Sequence, residues 1–159
     1  MTRARDYFQW VREQALDAER CQRQLKELEM RMKSLGGGGF EPRVRSTPAH
    51  DRLGQRVAAY MDREKALEDR MERDYYAIDR ACVLLYGDAT RFGLDRLTEP
   101  LWADVLWWRY LDGAEWAKVA RAMGYSIRPC QTMHGKALRW IDENEFMPDI
   151  IESAYDVGE

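Results

Sequence analysis

A repeat of apolar side chains runs through residues 7–85 and is broken once, by four consecutive glycines at 36–39. The apolar positions recur at steps of three and four, which places them along one face of an α-helix. Before the glycines they are Tyr7, Val11, Gln14 or Ala15, Ala18, Cys21, Leu25, Leu28, Met32 and Leu35. After them they are Leu53, Val57, Tyr60, Leu67, Met71, Tyr75, Ile78, Cys82 and Leu85. This pattern predicts a long antiparallel helical hairpin, similar to a coiled coil, over residues 1–87 with a glycine-rich loop at 36–48.

Composition extends this prediction to the whole chain. Strand-like alternation of Val, Ile and Thr is absent, and only 5 of the 159 residues are proline, so we expect an all-α fold. Three scattered cysteines without a CxxC spacing indicate reduced thiols in a cytoplasmic protein. Two distant histidines make a zinc site improbable, and no cofactor is expected. No apolar run is long enough to span a membrane.

Residues 115–141, EWAKVARAMGYSIRPCQTMHGKALRWI, have the spacing of a helix-turn-helix. Gly124 supplies the left-handed backbone that the turn needs, and the Ser126 hydroxyl can cap the second helix. The first helix presents an apolar face of Trp116, Val119, Ala120 and Met123, and the second one of Cys130, Met133, Ala137, Leu138 and Ile141. A preceding apolar helix at 101–111 completes a tri-helical domain, predicted over 88–142.

The second helix, predicted over 127–142, carries the residues that we expect to bind DNA. Its N-terminal residues would enter the major groove, and two later basic residues would hold phosphate. The candidates for base edges are Ser126, Ile127, Arg128, Gln131 and Thr132, and those for phosphate are Lys136 and Arg139. Pro129 is at the third helical position, where its missing amide has no intrahelical partner to lose. Gly135, in the middle of the helix, predicts a close approach to a neighbouring group.

The charge is distributed unevenly. The net charge is −3, but residues 142–159 contain seven acidic and no basic side chains, so the other 141 residues carry +4. Between residues 121 and 141 there are four Lys or Arg and no Asp or Glu. We therefore expect an acidic tail at 143–159 beside a basic helix-turn-helix.

The segment 115–140 resembles region 4 of bacterial sigma factors, through Val119-Ala120, Gly124-Tyr125-Ser126 and Ala137-Leu138. Extended upstream through WWRYLDG at 107–113, and with His134 included, it is similar to the phage-encoded sigma-like regulators of the RinA and ArpU type. That resemblance implies a long N-terminal helical region followed by a DNA-binding helix-turn-helix. Pro129 and Cys130 depart from the usual pattern of region 4.

The sequence favours a phage or prophage transcription regulator that binds double-stranded DNA and is not an enzyme. Two alternatives stay open: a small terminase subunit that recognises phage DNA for packaging, and a helical adaptor that binds RNA polymerase. If the apolar face of the N-terminal helices is exposed, we expect a homodimer. If that face packs on the helix-turn-helix within one chain, we do not. We expect the aromatic residues at 101–111 to lie in the core. We expect His134 to pack at the edge of the second helix or to contact a phosphate.

Overall fold

A computed structural model describes residues 3–36 and 48–146 of the chain. Its helices are α1 (Arg3–Gly36), α2 (Pro48–Tyr86), α3 (Leu94–Leu97), α4 (Pro100–Leu106), α5 (Trp116–Met123) and α6 (Ile127–Glu143), with a π-helical segment (Trp107–Leu111) between α4 and α5. No strand occurs in these residues, and a single antiparallel bridge joins Gly87 to Phe92. The predicted all-α fold, with a long N-terminal helix packed on the next and several short helices after them, is confirmed.

Polar contacts between α1 and α2 show that the two helices run antiparallel. With its amide oriented to satisfy both neighbours, Gln14 donates to Asp74 at 2.9 Å and accepts from the indole of Trp10 at 3.3 Å. Further along α1, Gln24 accepts a hydrogen bond of 3.0 Å from Arg63. Residues later in α1 therefore pair with residues earlier in α2. This is the antiparallel arrangement predicted from the sequence.

The chain divides into two compact units, and both long helices contribute to each of them. The helix-turn-helix unit comprises Met1–Asp17 and Arg73–Glu159, and the hairpin unit comprises Ala18–Glu72. In the helix-turn-helix unit, apolar residues near the start of α1 and the end of α2 are buried together with the later, shorter helices. The domain boundaries at residues 87 and 142 stay predictions.

Among the residues of the hairpin unit whose burial is described, few side chains are fully buried, namely Ala18, Cys21 and Leu67. Apolar residues of the repeat on either side of them, such as Leu25, Leu28 and Tyr60, are half-buried. Ion pairs one helical turn apart, Glu19–Arg23 at 3.5 Å and Glu27–Arg31 at 2.8 Å, lie on the exposed surface of α1. Such pairs stabilise a solvent-exposed helix by a few tenths of a kcal/mol each.

The helix-turn-helix unit is built on a core shared by nearly all of its helices. The fully buried members include Tyr7, Phe8 and Val11 from α1, Leu84 and Leu85 from α2, Leu94, Ala103 and Leu106, and Ala137, Leu138 and Ile141 from α6. Within this unit the apolar face of α1 thus closes on the helix-turn-helix inside one chain. The predicted homodimer stays a prediction for the hairpin unit.

The start of α1 is held by the end of α6. The backbone amide of Ala4 donates to Oδ1 of Asp142 at 2.9 Å, across 138 positions of sequence. The first amides of a helix have no partner within the helix, so a carboxylate placed there satisfies one of them and opposes the positive end of the helix dipole. Asp142, the last residue of the predicted helix 127–142, is therefore a cap for α1.

The π-helical segment widens the helix that precedes α5 by one residue per turn. Two amides just after it donate to carbonyls at its start: Asp112 to Trp107 and Ala114 to Trp108, each at 3.0 Å. The apolar helix predicted at 101–111 is found as α4 followed by this segment. Arg109 and Tyr110 both lie within this π-helical segment. Such segments often occur at functional sites.

Two predictions fall outside the described residues: the glycine-rich loop at 36–48, apart from the helix ends, and the acidic tail beyond residue 146. Among the helices that the structure describes, none combines the length and the apolar character needed to cross a bilayer. Within the described part of the chain, Cys21, Cys82 and Cys130 form no disulfide.

Candidate nucleic-acid interface

The turn between α5 and α6 has the geometry that its sequence predicts. α5 ends at Gly124, which has φ +75 in the left-handed region, where an L side chain is strained. The amides of Gly124 and Tyr125 both donate to the carbonyl of Ala120, at 3.0 and 3.1 Å. α6 then begins at Ile127, so the predicted start of the second helix is confirmed.

A separate small core joins the two helices of the turn. Its buried residues are Val105, Ala114, Val119, Ala120 and Cys130, with Trp108, Trp116, Met123 and Met133 packed around them. The apolar faces predicted for both helices are therefore confirmed, and so is the assignment of Trp108 to a core. Burial raises the pKa of the Cys130 thiol, so this side chain acts as a small apolar residue.

The start of α6 agrees with the sequence in position but differs in one contact. Ser126 is the N-cap residue with an extended backbone, and Pro129 is the third residue of the helix, as predicted. No capping hydrogen bond from a backbone amide of α6 to the Ser126 side chain is formed. The exposed serine hydroxyl is thus available to a ligand at the positive end of the helix dipole.

All seven predicted DNA-binding residues are exposed on the helix-turn-helix unit: Ser126, Ile127, Arg128, Gln131, Thr132, Lys136 and Arg139. The Thr132 hydroxyl donates to the carbonyl of Arg128 at 3.1 Å, which leaves its oxygen as an acceptor. Tyr125, beside Ile127, is also largely exposed (48%). Tyr125 was not among the residues predicted to bind DNA, although its aromatic ring is exposed beside them.

Gly135 does not mark a close approach. A Cβ built on it would meet no atom within 4 Å, so the close neighbour predicted from sequence is not found among the described residues. Replacing Gly135 by alanine is therefore expected to raise the free energy of unfolding by about 1 kcal/mol, because glycine in a helix interior costs that much relative to alanine. Urea denaturation of Gly135→Ala against wild type measures this, and a decrease in stability would contradict the open site.

An arginine pair fixes the residues that lead into α5. Arg12 of α1 donates to the carbonyl of Gly113 at 3.2 Å and to the Glu115 carboxylate at 3.1 Å. Arg109 donates to the carbonyl of Ala114 at 3.1 Å, and its guanidinium lies 4.9 Å from the centre of the Trp116 ring. Burial and the charge of Arg12 lower the pKa of Arg109. α1 and the π-helical segment together therefore orient the first helix of the turn.

His134 lies on the inner side of α6. Its ring is 9% exposed, stacks on Tyr110 and meets the edge of Trp116 at 5.0 Å. Its Nε2 is 2.5 Å from the Tyr110 hydroxyl. Burial, together with the charges of Arg5 and Arg109, lowers the pKa of His134 from 6.5 to about 4. The ring is therefore neutral at pH 7; the predicted packing of His134 is confirmed, and its contact with a phosphate stays a prediction.

An open pocket of about 310 Å³ lies beside this histidine. It is lined by Arg5, Gln9, Arg109, Tyr110, Trp116, Gln131 and His134. Of these, only Gln131 was a predicted site residue. Arg5 and Gln9 are more than 120 positions from Gln131 in sequence, and no local pattern relates them; their spacing of one helical turn was the only signal that they share a face.

Comparison of the chain with family models, with curated proteins and with solved structures finds no match.

Proposed function

We propose that this protein is a sequence-specific DNA-binding transcription regulator that reads the major groove with α6. The observation that carries the proposal is the two-sided character of this helix. One side is buried through Cys130, Ala137, Leu138 and Ile141, and the other exposes the polar and basic residues predicted to bind DNA. An exposed helix with a basic surface on a helix-turn-helix is the usual element for the major groove.

Charge supports the same proposal. Residues 116–141 contain five Lys or Arg and no Asp or Glu, and three of the five (Arg128, Lys136 and Arg139) are exposed on α6, so this part of the helix-turn-helix attracts phosphate. Ile127 and Tyr125 add apolar surface at the start of the helix, where contact with thymine methyl groups is possible. The resemblance to phage-encoded sigma-like regulators favours regulation over DNA packaging.

The proposal is tested by selecting bound sequences from random duplex DNA with the full chain. Enrichment of a single motif is the expected result, because direct contacts with base edges distinguish sequences. Failure to shift any DNA at low salt, together with retention of RNA polymerase on the immobilised protein, would instead select the adaptor function. A large ring in light scattering would point to packaging.

Two variants separate the roles within α6. Arg128→Ala is expected to weaken binding to the selected site by about 1–3 kcal/mol and to relax its sequence preference, since we propose that Arg128 contacts a base. Lys136→Ala is expected to weaken all sequences alike and to lower the salt slope of log K by about one. Mobility shifts over a range of salt concentrations measure both quantities.

Arg73 provides the control, because it is an exposed arginine on α2 and lies outside the proposed surface. Arg73→Ala should bind like the wild type. The assignment of α6 is wrong if Arg128→Ala and Lys136→Ala also do so.

A further inference from the structure

We propose that the pocket lined by Arg5, Arg109, Gln131 and His134 is a phosphate-binding site. The source of the phosphate is either the DNA backbone or a free phosphate ester, and the chemistry of recognition is the same for both. Only the first source rests on the proposed DNA-binding function.

The lining of the pocket has the donors that a phosphate requires. Arg5 and Arg109 bring two guanidinium groups from different elements, and Gln9 and Gln131 bring side-chain amides. None of the described residues that line it is acidic. A guanidinium donates two parallel hydrogen bonds to phosphate oxygens, and several donors are needed to satisfy a group with more acceptor oxygens than a carboxylate has.

The electrostatics of the pocket favour an anion. The positive charges of Arg5 and Arg109 both reach the buried His134 ring and oppose its protonation. Arg12 adds a third positive charge near Arg109, while Glu115 lies 3.7 Å from Arg109 and pairs also with Arg12. Glu115 offsets part of the charge of Arg12 and Arg109, and an anion beside Arg5 and Arg109 would be attracted by their guanidinium groups.

The volume and position of the pocket are suited to a small anion such as phosphate. A volume of about 310 Å³ is at the lower end of the range for ligand pockets, roughly 300–1,000 Å³. The buried His134 and the largely buried Arg109 form its inner part, whereas Arg5, Gln9 and Gln131 are exposed at its rim. Gln131 also belongs to the exposed surface of α6, so a phosphate in the pocket would border the proposed DNA surface.

Binding is tested by NMR on the full chain, with inorganic phosphate as the probe and sodium chloride at equal ionic strength as the reference. We expect saturable shifts of the Trp116 indole and His134 ring resonances. Arg5→Gln should weaken the apparent affinity about three- to tenfold, the loss of one charge-assisted contact at an exposed position, and Arg5→Lys should retain part of it. Arg73→Gln, which removes an exposed arginine elsewhere, should have no effect.

The site is wrong if the shifts do not saturate, if sodium acetate produces them equally well, or if Arg73→Gln weakens binding as much as Arg5→Gln. Gln9→Glu offers a second variant should Arg5→Gln fail to fold. It places a negative charge at the rim and should also reduce phosphate affinity, and unchanged affinity in that variant would overturn the proposal.

Two further measurements identify the source. If the DNA backbone fills the pocket, dimethyl phosphate, a diester, shifts the same resonances, and Arg5→Gln lowers the salt slope of DNA binding by about one. If a free ester fills it, only inorganic phosphate and methyl phosphate bind, and the slope is unchanged. Phosphate binding without DNA binding would refute the proposed function alone, and DNA binding without any response to these phosphates would refute this site alone.

Discussion

Replacing Phe8 by alanine is expected to lower the free energy of unfolding by about 3–5 kcal/mol, the cost of removing a phenyl ring from a packed core. The Phe8 side chain is fully buried, and its ring centre lies 5.2 Å from that of Tyr7 and 5.4 Å from that of Tyr110. Because Tyr110 also contacts His134 of α6, the cavity would weaken the support of the second helix of the turn. Equilibrium denaturation in urea measures the change.

Met30→Ala is the matched control, since Met30 lies in the same helix but in the hairpin unit and is 65% exposed. That substitution should change stability by no more than about 0.5 kcal/mol. If Phe8→Ala were equally mild, the start of α1 could not be part of the core that holds α5 and α6.

Acidification from pH 6.5 to pH 4 is expected to reduce the free energy of unfolding by about 3 kcal/mol through His134 alone. In the folded protein its pKa is about 4, compared with the ordinary 6.5. Between these values the unfolded chain binds a proton that the folded protein does not, so stability rises with pH and is lost as pH falls. Each pH unit of difference corresponds to about 1.4 kcal/mol.

The pH dependence of His134→Gln identifies the source of this loss. The slope of the unfolding free energy between pH 6.5 and 4.5 should be smaller in this variant than in the wild type, whatever its absolute stability. Asp88 does not interfere, because hydrogen bonds from Thr90 hold its pKa below 3.8, and its contribution is lost only at lower pH. A His134 ring that titrates near pH 6.5 in NMR would contradict the expectation.

The parts of the fold that sequence predicts best are those defined by neighbours along the chain. The left-handed Gly124, the N-cap position of Ser126 and the tolerated Pro129 depend on backbone preferences within a few residues. They locate the predicted helix 127–142 almost as the structure has it, Ile127–Glu143. Periodicity likewise predicts α1, α2 and most of their buried faces, because every third or fourth residue repeats the same environment. Val57 and Tyr75 of the predicted apolar face of α2 are exposed instead.

Contacts between distant residues were not predictable in this way. The division into two units depends on which turns of α1 and α2 meet the later helices, and a uniform repeat does not distinguish those turns. Arg5 and Arg109 reach one pocket only after α1 and the π-helical segment are packed. The π-helical segment has no strong local signal in the sequence. The open space beside Gly135 depends on the residues around α6 and not on the sequence of that helix.

The partners of the hydrogen bond from Ala4 to Asp142 are synthesised at different times. The first turns of α1 leave the ribosome early, while the residues of α6 on which they pack follow 138 positions later. At a synthesis rate of roughly 5–20 residues per second, that interval is on the order of ten seconds. During this time Tyr7, Phe8 and Val11 lack their partners from α6. Contacts of such high sequence separation also slow folding, so these apolar side chains stay without that part of their core until α6 has been made.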